Sequence, residues 1–157
     1  MIYRLWLLAH LLSVIVWVGG MFFAHVTLRP AVAATIAEPP LRLKLMQATL
    51  GRFFAWAGAA ALLILISGLM MMLIAGGSRG MFAVPPYVHV MLAVGVAMMA
   101  IFGHIRFALY KRLARAVSAS EWAAGGAALA SIRLWVTVNL GLGILVVMVT
   151  IIGPALL

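Results

Sequence analysis

Four long apolar runs divide the chain, at residues 3–27, 53–75, 85–110 and 132–152, and the stretches between them hold most of the polar residues. A helix rises about 1.5 Å per residue and the hydrocarbon core of a bilayer is about 30 Å thick, so about 20 apolar residues are enough to cross it. Each run reaches that length, and charges fall only near the run ends. The pattern predicts an all-α protein, an integral membrane four-helix bundle forming a single transmembrane domain over residues 1–157. Local signals set the expected ends. Pro85-Pro86 suits a helix start, where a missing N–H costs nothing. Arg29-Pro30, Gly76-Gly77 and Gly153-Pro154 read as stops for the first, second and fourth runs.

The connections carry their own patterns. Pro39-Pro40 followed by Leu41-Arg42-Leu43-Lys44-Leu45-Met46 reads as a turn and a short interfacial helix. The stretch from Lys111 to Ser131 is Ala-rich and predicts helix continuing beyond the membrane, with Ser120 as an N-cap before Glu121 and Trp122. The loop after the second run, Gly76 to Val84, is short. Tyr3–Thr27 is too long for a signal peptide and runs into Leu28-Arg29-Pro30, so it is expected to be a retained helix.

Composition agrees. The chain is 68% hydrophobic and 8% charged, with a mean hydropathy of +1.26. A soluble domain does not have this balance. The net charge of +9 does not imply nucleic acid, because the cations lie in connections and at run ends. Arg29, Arg42, Lys44, Arg52, Arg106, Lys111, Arg112, Arg115 and Arg133 fall on one side of the expected bundle, and only Arg4 and Arg79 on the other. The positive-inside rule puts the larger group in the cytoplasm and both termini on the outer (periplasmic) side. The partner this implies is the lipid bilayer. A chain this small can also form a homodimer.

The four histidines are the main chemical signal. His10 and His25 lie in the first run, His89 and His104 in the third, and fifteen residues separate the members of each pair. Polar rings in hydrocarbon are costly and usually functional. They must be hydrogen-bonded or ligate a metal. Runs one and three point the same way, so His10 can face His89 near the outer surface and His25 can face His104 near the inner one. Fifteen helical residues rise about 22 Å, the gap expected between haems in opposite leaflets. They also overshoot four turns by about 60°, which tilt or local distortion must absorb. The expected cofactor is haem b, two per chain, each held by two imidazoles. Arg29, Arg52 and Arg106 are candidates for the inner propionates, and Arg4, Arg79 and Tyr87 for the outer ones. Gly19, Gly20, Gly95 and Gly103 would let a macrocycle approach the backbone, though ordinary close helix packing explains them equally well. Histidines that simply hydrogen-bond between helices are the plainer reading of the rings.

The eleven methionines open a second chemistry. Thioether and imidazole ligands suit Cu(I). Met70, Met71, Met72 and Met81 lie toward the outer side, and His89 with Met91 is a candidate outer copper pair. Methionine is also a common apolar filler. The chain has no cysteine, which excludes disulfides, thiolate copper, iron–sulfur clusters and covalent haem. The only acidic residues, Glu38 and Glu121, lie in connections. That argues against a carboxylate proton relay and against magnesium, calcium or hydrolytic zinc chemistry.

Several stretches are similar to the copper-resistance D (CopD) superfamily. The segment from His10 through Trp17, Gly19 and Gly20 to Phe23 resembles its opening helix. Gly51-Arg52-Phe53-Phe54 with Ser67-Gly68 resembles its second. Tyr87 to His104-Ile105-Arg106, then Ala116-Val117 and Glu121, resembles its third helix and the connection after it. The resemblance implies a multi-pass unit of a bacterial inner membrane, with copper uptake as the function behind the family name. The superfamily is also similar to HemJ, a haem-binding protoporphyrinogen oxidase. That likeness would match His10, but the His-x-Lys motif of HemJ is replaced here by His89-Val90-Met91. Three expectations follow, in order. The first is a di-haem b cytochrome carrying single electrons between a quinol, superoxide or a redox protein and an acceptor across the membrane. The second is a copper-binding or copper-uptake protein. The third is a HemJ-like oxidase.

Overall fold

The computed structural model describes residues 1–156, which form four long helices joined by short reversals. Helix α1 runs Ile2–Thr35, α2 Pro39–Gly76, α3 Pro86–Ser118 and α4 Trp122–Leu156. All four are long and apolar enough to cross a membrane. The chain is a multi-pass membrane protein.

The helices pack in sequence order. α1 lies along α2 and α3 along α4, while α1 and α3 stand across a diagonal and meet through side chains. At the centre Trp17 of α1 is only 2% exposed. Its ring meets Phe102 of α3 edge-on at 6.0 Å. Phe102 in turn meets Phe54 of α2 at 6.1 Å, and Phe54 meets Tyr110 at 5.5 Å. Ala57, Ala60 and Ala61 are buried on α2, and such small residues let helices approach closely where lipid supplies no hydrophobic drive. Gly20 leaves room for the Phe53 ring, and a Cβ there would lie 2.3 Å from it. The outer surface is apolar, with Ile15, Trp56, Leu62, Phe107 and Ile151 exposed. Such a surface is what acyl chains cover.

The helices extend beyond the expected runs. The segment 41–46 is not a separate interfacial helix. It is the start of α2, nucleated by Pro39-Pro40 in the first turn, where proline is tolerated. Leu43, Met46 and Leu50 recur at helical spacing and are buried, so the stretch is packed onto the bundle. Arg42 closes the reversal by donating from Nε to the Ile36 carbonyl.

Two expected stops are read through. Arg29-Pro30 does not end α1, because a π-helical segment at Phe23–Leu28 directly precedes it. Widened hydrogen bonding there absorbs the N–H that Pro30 lacks. α4 likewise continues through Pro154, which lies in the last turn and removes only one ladder bond. Gly153 lies against Tyr87, with a Cβ there only 2.7 Å from the Tyr87 Cβ.

Ser120 is not an N-cap. It adopts φ +59° and closes α3. Its N–H donates to Val117 O at 3.2 Å, and Glu121 N–H donates to Ala116 O at 2.9 Å. These are the two bonds of a Schellman motif, whose left-handed position favours glycine. Ser120→Gly is therefore expected to stabilise the protein by about 0.5–1 kcal/mol. A melting curve in detergent reads this, and an unchanged or lower midpoint would contradict it.

Candidate functional site

The four imidazoles each rest against a different neighbour. His10 is half-buried on α1, and its Nδ1 lies 2.9 Å from Ser67 Oγ on α2. Ser67 is fully buried, and its hydroxyl also reaches the carbonyls of Leu63 and, at 3.1 Å, Ile64. The Ser67 proton therefore goes to the backbone, and its oxygen accepts from Nδ1–H of His10. This arrangement selects one tautomer and leaves Nε2 with a free lone pair. Gly68 lies beside the ring, where a Cβ would stand 3.4 Å from His10 Cε1, in ordinary contact. One turn further out on α2, Met71 is half-buried and Met72 is 4% exposed.

His25 is partly buried, with Nδ1 3.4 Å from Thr137 Oγ1 on α4. His104 is exposed and meets the Trp135 ring edge-on at 5.6 Å. Residues 135 and 137 point about 200° apart on a helix. The two inner imidazoles thus address opposite flanks of α4. His89 is exposed and stacks on Phe82 at 6.3 Å. Among the described residues no group of three or more His, Asp or Glu side chains gathers as a metal site.

Backbone geometry explains the divergence. α3 is α-helical from His89 to His104, so the 60° overshoot stands there. α1 carries a π segment at Ile15–Gly19, between its two histidines. One inserted residue turns fifteen steps into the equivalent of fourteen, about 40° short of four turns instead of 60° beyond. The two helices therefore rotate their inner histidines apart by about 100° relative to the outer ones.

The other candidates also separate. Arg106 stacks over Tyr110 and Phe107, at 5.3 and 5.8 Å, and Arg52 is exposed on α2. Arg29 shares a cleft with a candidate histidine, His25. Met91 Sδ lies 3.5 Å from the Thr150 hydroxyl, which donates to the Val146 carbonyl at 2.8 Å, while His89 turns to Phe82, so these two do not form a pair. They are two residues apart on a helix and face opposite ways.

Sequence reasoning missed Asn139, a buried polar residue. It is 1% exposed in the bundle interior. Its Nδ2 donates to Met21 Sδ at 3.6 Å, and its Oδ1 has no partner. The signal was available, because this is the chain's one asparagine and it lies within an apolar run. Ser67 was noticed only as part of a resemblance, because its partner lies 57 residues away in sequence.

Set against known families, residues 47–152 match the model described as copper resistance protein D. No curated protein and no solved structure matches the chain. The matched stretch takes in most of α2, all of α3 and most of α4.

Proposed function

The chain belongs to the copper resistance protein D family, and from that premise we propose that it binds monovalent copper within the membrane as part of copper uptake or resistance. The observation that carries this reading is the His10–Ser67 hydrogen bond. It holds an imidazole inside the bundle with Nε2 free, the orientation a metal ligand needs. The interior donors within reach of the helix axes are soft or neutral. Met21, Met46, Met72 and Met98 are buried, and no carboxylate lies in any of the apolar runs. Such a donor set suits Cu(I) over hard divalent ions. His10 is the ligand we assign to the outer half, with Met71, one turn beyond Ser67 on α2, as the thioether on the same face. The Lys/Arg-rich end would face the cytoplasm of a bacterial inner membrane.

A haem-based reading would use the same four histidines in the pairs His10–His89 and His25–His104, with Arg29, Arg52 and Arg106 on the propionates. It requires His25 and His104 to turn toward one iron from opposite flanks of α4. One sample decides between the two. Detergent-purified protein loaded under reducing conditions is assayed for copper by elemental analysis and for haem by the pyridine haemochrome spectrum. About one copper per chain without a Soret band is the expected result. Two haems b per chain without copper would overturn the copper reading and favour the cytochrome. One haem with porphyrinogen turnover would favour the HemJ-like oxidase.

A further inference from the structure

We infer that the cleft between α1, α2 and α4 at the Lys/Arg-rich end binds the phosphate of an anionic phospholipid headgroup. The cleft has a volume of about 130 Å³ and brings His25, Arg29 and Arg133 together over apolar walls that include Met46, Leu50 and Val136. That volume holds several water molecules. It suits a phosphate and its first ester carbons, with the acyl chains left outside.

Charge gives the sign of the ligand. Two arginines line the cleft, both exposed, and neither of the chain's two carboxylates, Glu38 and Glu121, is among its lining residues. Arginines held together without a carboxylate call for an anion, and a planar guanidinium fits phosphate oxygens two at a time.

Position gives the source. Arg133 lies eleven residues into α4, which starts at Trp122. The helix start therefore projects about 16 Å beyond it. Trp135 lies just past Arg133 in sequence, and a ring of this type anchors at the headgroup level. The adjacent residues Val26 and Leu134 are exposed apolar groups, so acyl chains can lie against the helices beside the cleft. A basic pocket between membrane helices at this depth is built for an anionic lipid head.

The test is native mass spectrometry of the full-length chain in detergent, with phosphatidylglycerol or phosphatidylcholine added. Phosphatidylglycerol should be retained preferentially. Arg29→Gln and Arg133→Gln should each weaken it about fivefold, and the double variant about thirtyfold. Lysine at both positions should restore part of the binding, through charge without the paired guanidinium bonds. Arg112→Gln, on the same side but outside this cleft, should leave it unchanged. Three results would overturn the site. These are equal retention of both lipids, an equal loss in Arg112→Gln, or displacement of the lipid by millimolar glycerol phosphate. The last would identify a soluble phosphate as the ligand. Copper binding plays no part in this measurement, so its failure and that of the copper reading are separable.

Discussion

Trp17→Ala is expected to destabilise the protein by about 3–5 kcal/mol, the largest loss for any single truncation in the bundle. α1 and α3 stand across the diagonal, and the Trp17–Phe102 contact bridges them at the centre. Through Phe102 and Phe54 the contact reaches Tyr110, whose hydroxyl donates to Gln47 O at 3.2 Å. Removing the indole empties the middle of this chain. In a bilayer the loss is mainly of packing, because acyl chains are as apolar as the core, so the lower half of the range is the better expectation. For a protein of this size it corresponds to a melting midpoint lower by about 6–16 °C. Trp56→Ala is the control. Trp56 is 72% exposed on the lipid-facing surface, and its loss should cost less than about 0.5 kcal/mol. Equal midpoints for the two variants in detergent would show that the central aromatic chain does not hold α1 to α3.

Ser67→Ala is expected to weaken Cu(I) binding about 10- to 100-fold, the range for removing a group that orients a metal ligand. His10→Ala should weaken it further. Ser67 is a positioning residue, since it presents no soft donor itself. Without its oxygen the His10 ring loses its side-chain partner on α2, and with it the angle that partner sets. The measurement is titration of the reduced, detergent-solubilised protein against a competing Cu(I) chelator, with a melting curve on the same sample. A merely structural role would lower the midpoint and leave affinity intact. Parent-like affinity in Ser67→Ala would remove the His10–Ser67 unit from the copper site.

Several features were legible in the residues because they depend on local composition. Runs of more than 20 apolar residues cannot leave backbone groups unpaired in hydrocarbon, so four such runs mean four helices. The Pro85-Pro86 start and the Gly76-Gly77 stop were legible for the same reason. They act on the backbone of their own turn, and Gly77 takes φ +55°. The family, too, could be read from short motifs such as Gly51-Arg52-Phe53-Phe54. Ser120, Arg29-Pro30 and Pro154 were misread. A serine before an acidic residue looks like a cap, and a proline looks like a stop, until the neighbouring hydrogen bonds are known.

The sequence by itself determined the class of the protein, its four crossings and the residue types available for chemistry, because hydropathy and ligand softness belong to each side chain alone. Only the tertiary structure decided which of those residues meet. The π segment at Ile15–Gly19 turned His25 toward Thr137, and the packing of α1 on α2 gave His10 its partner Ser67. The same packing, with α4 alongside, brought Arg29 and Arg133 into one cleft. Helical spacing is periodic only while the hydrogen-bond ladder is regular, and contacts between helices depend on rotation about axes that no single run of residues specifies.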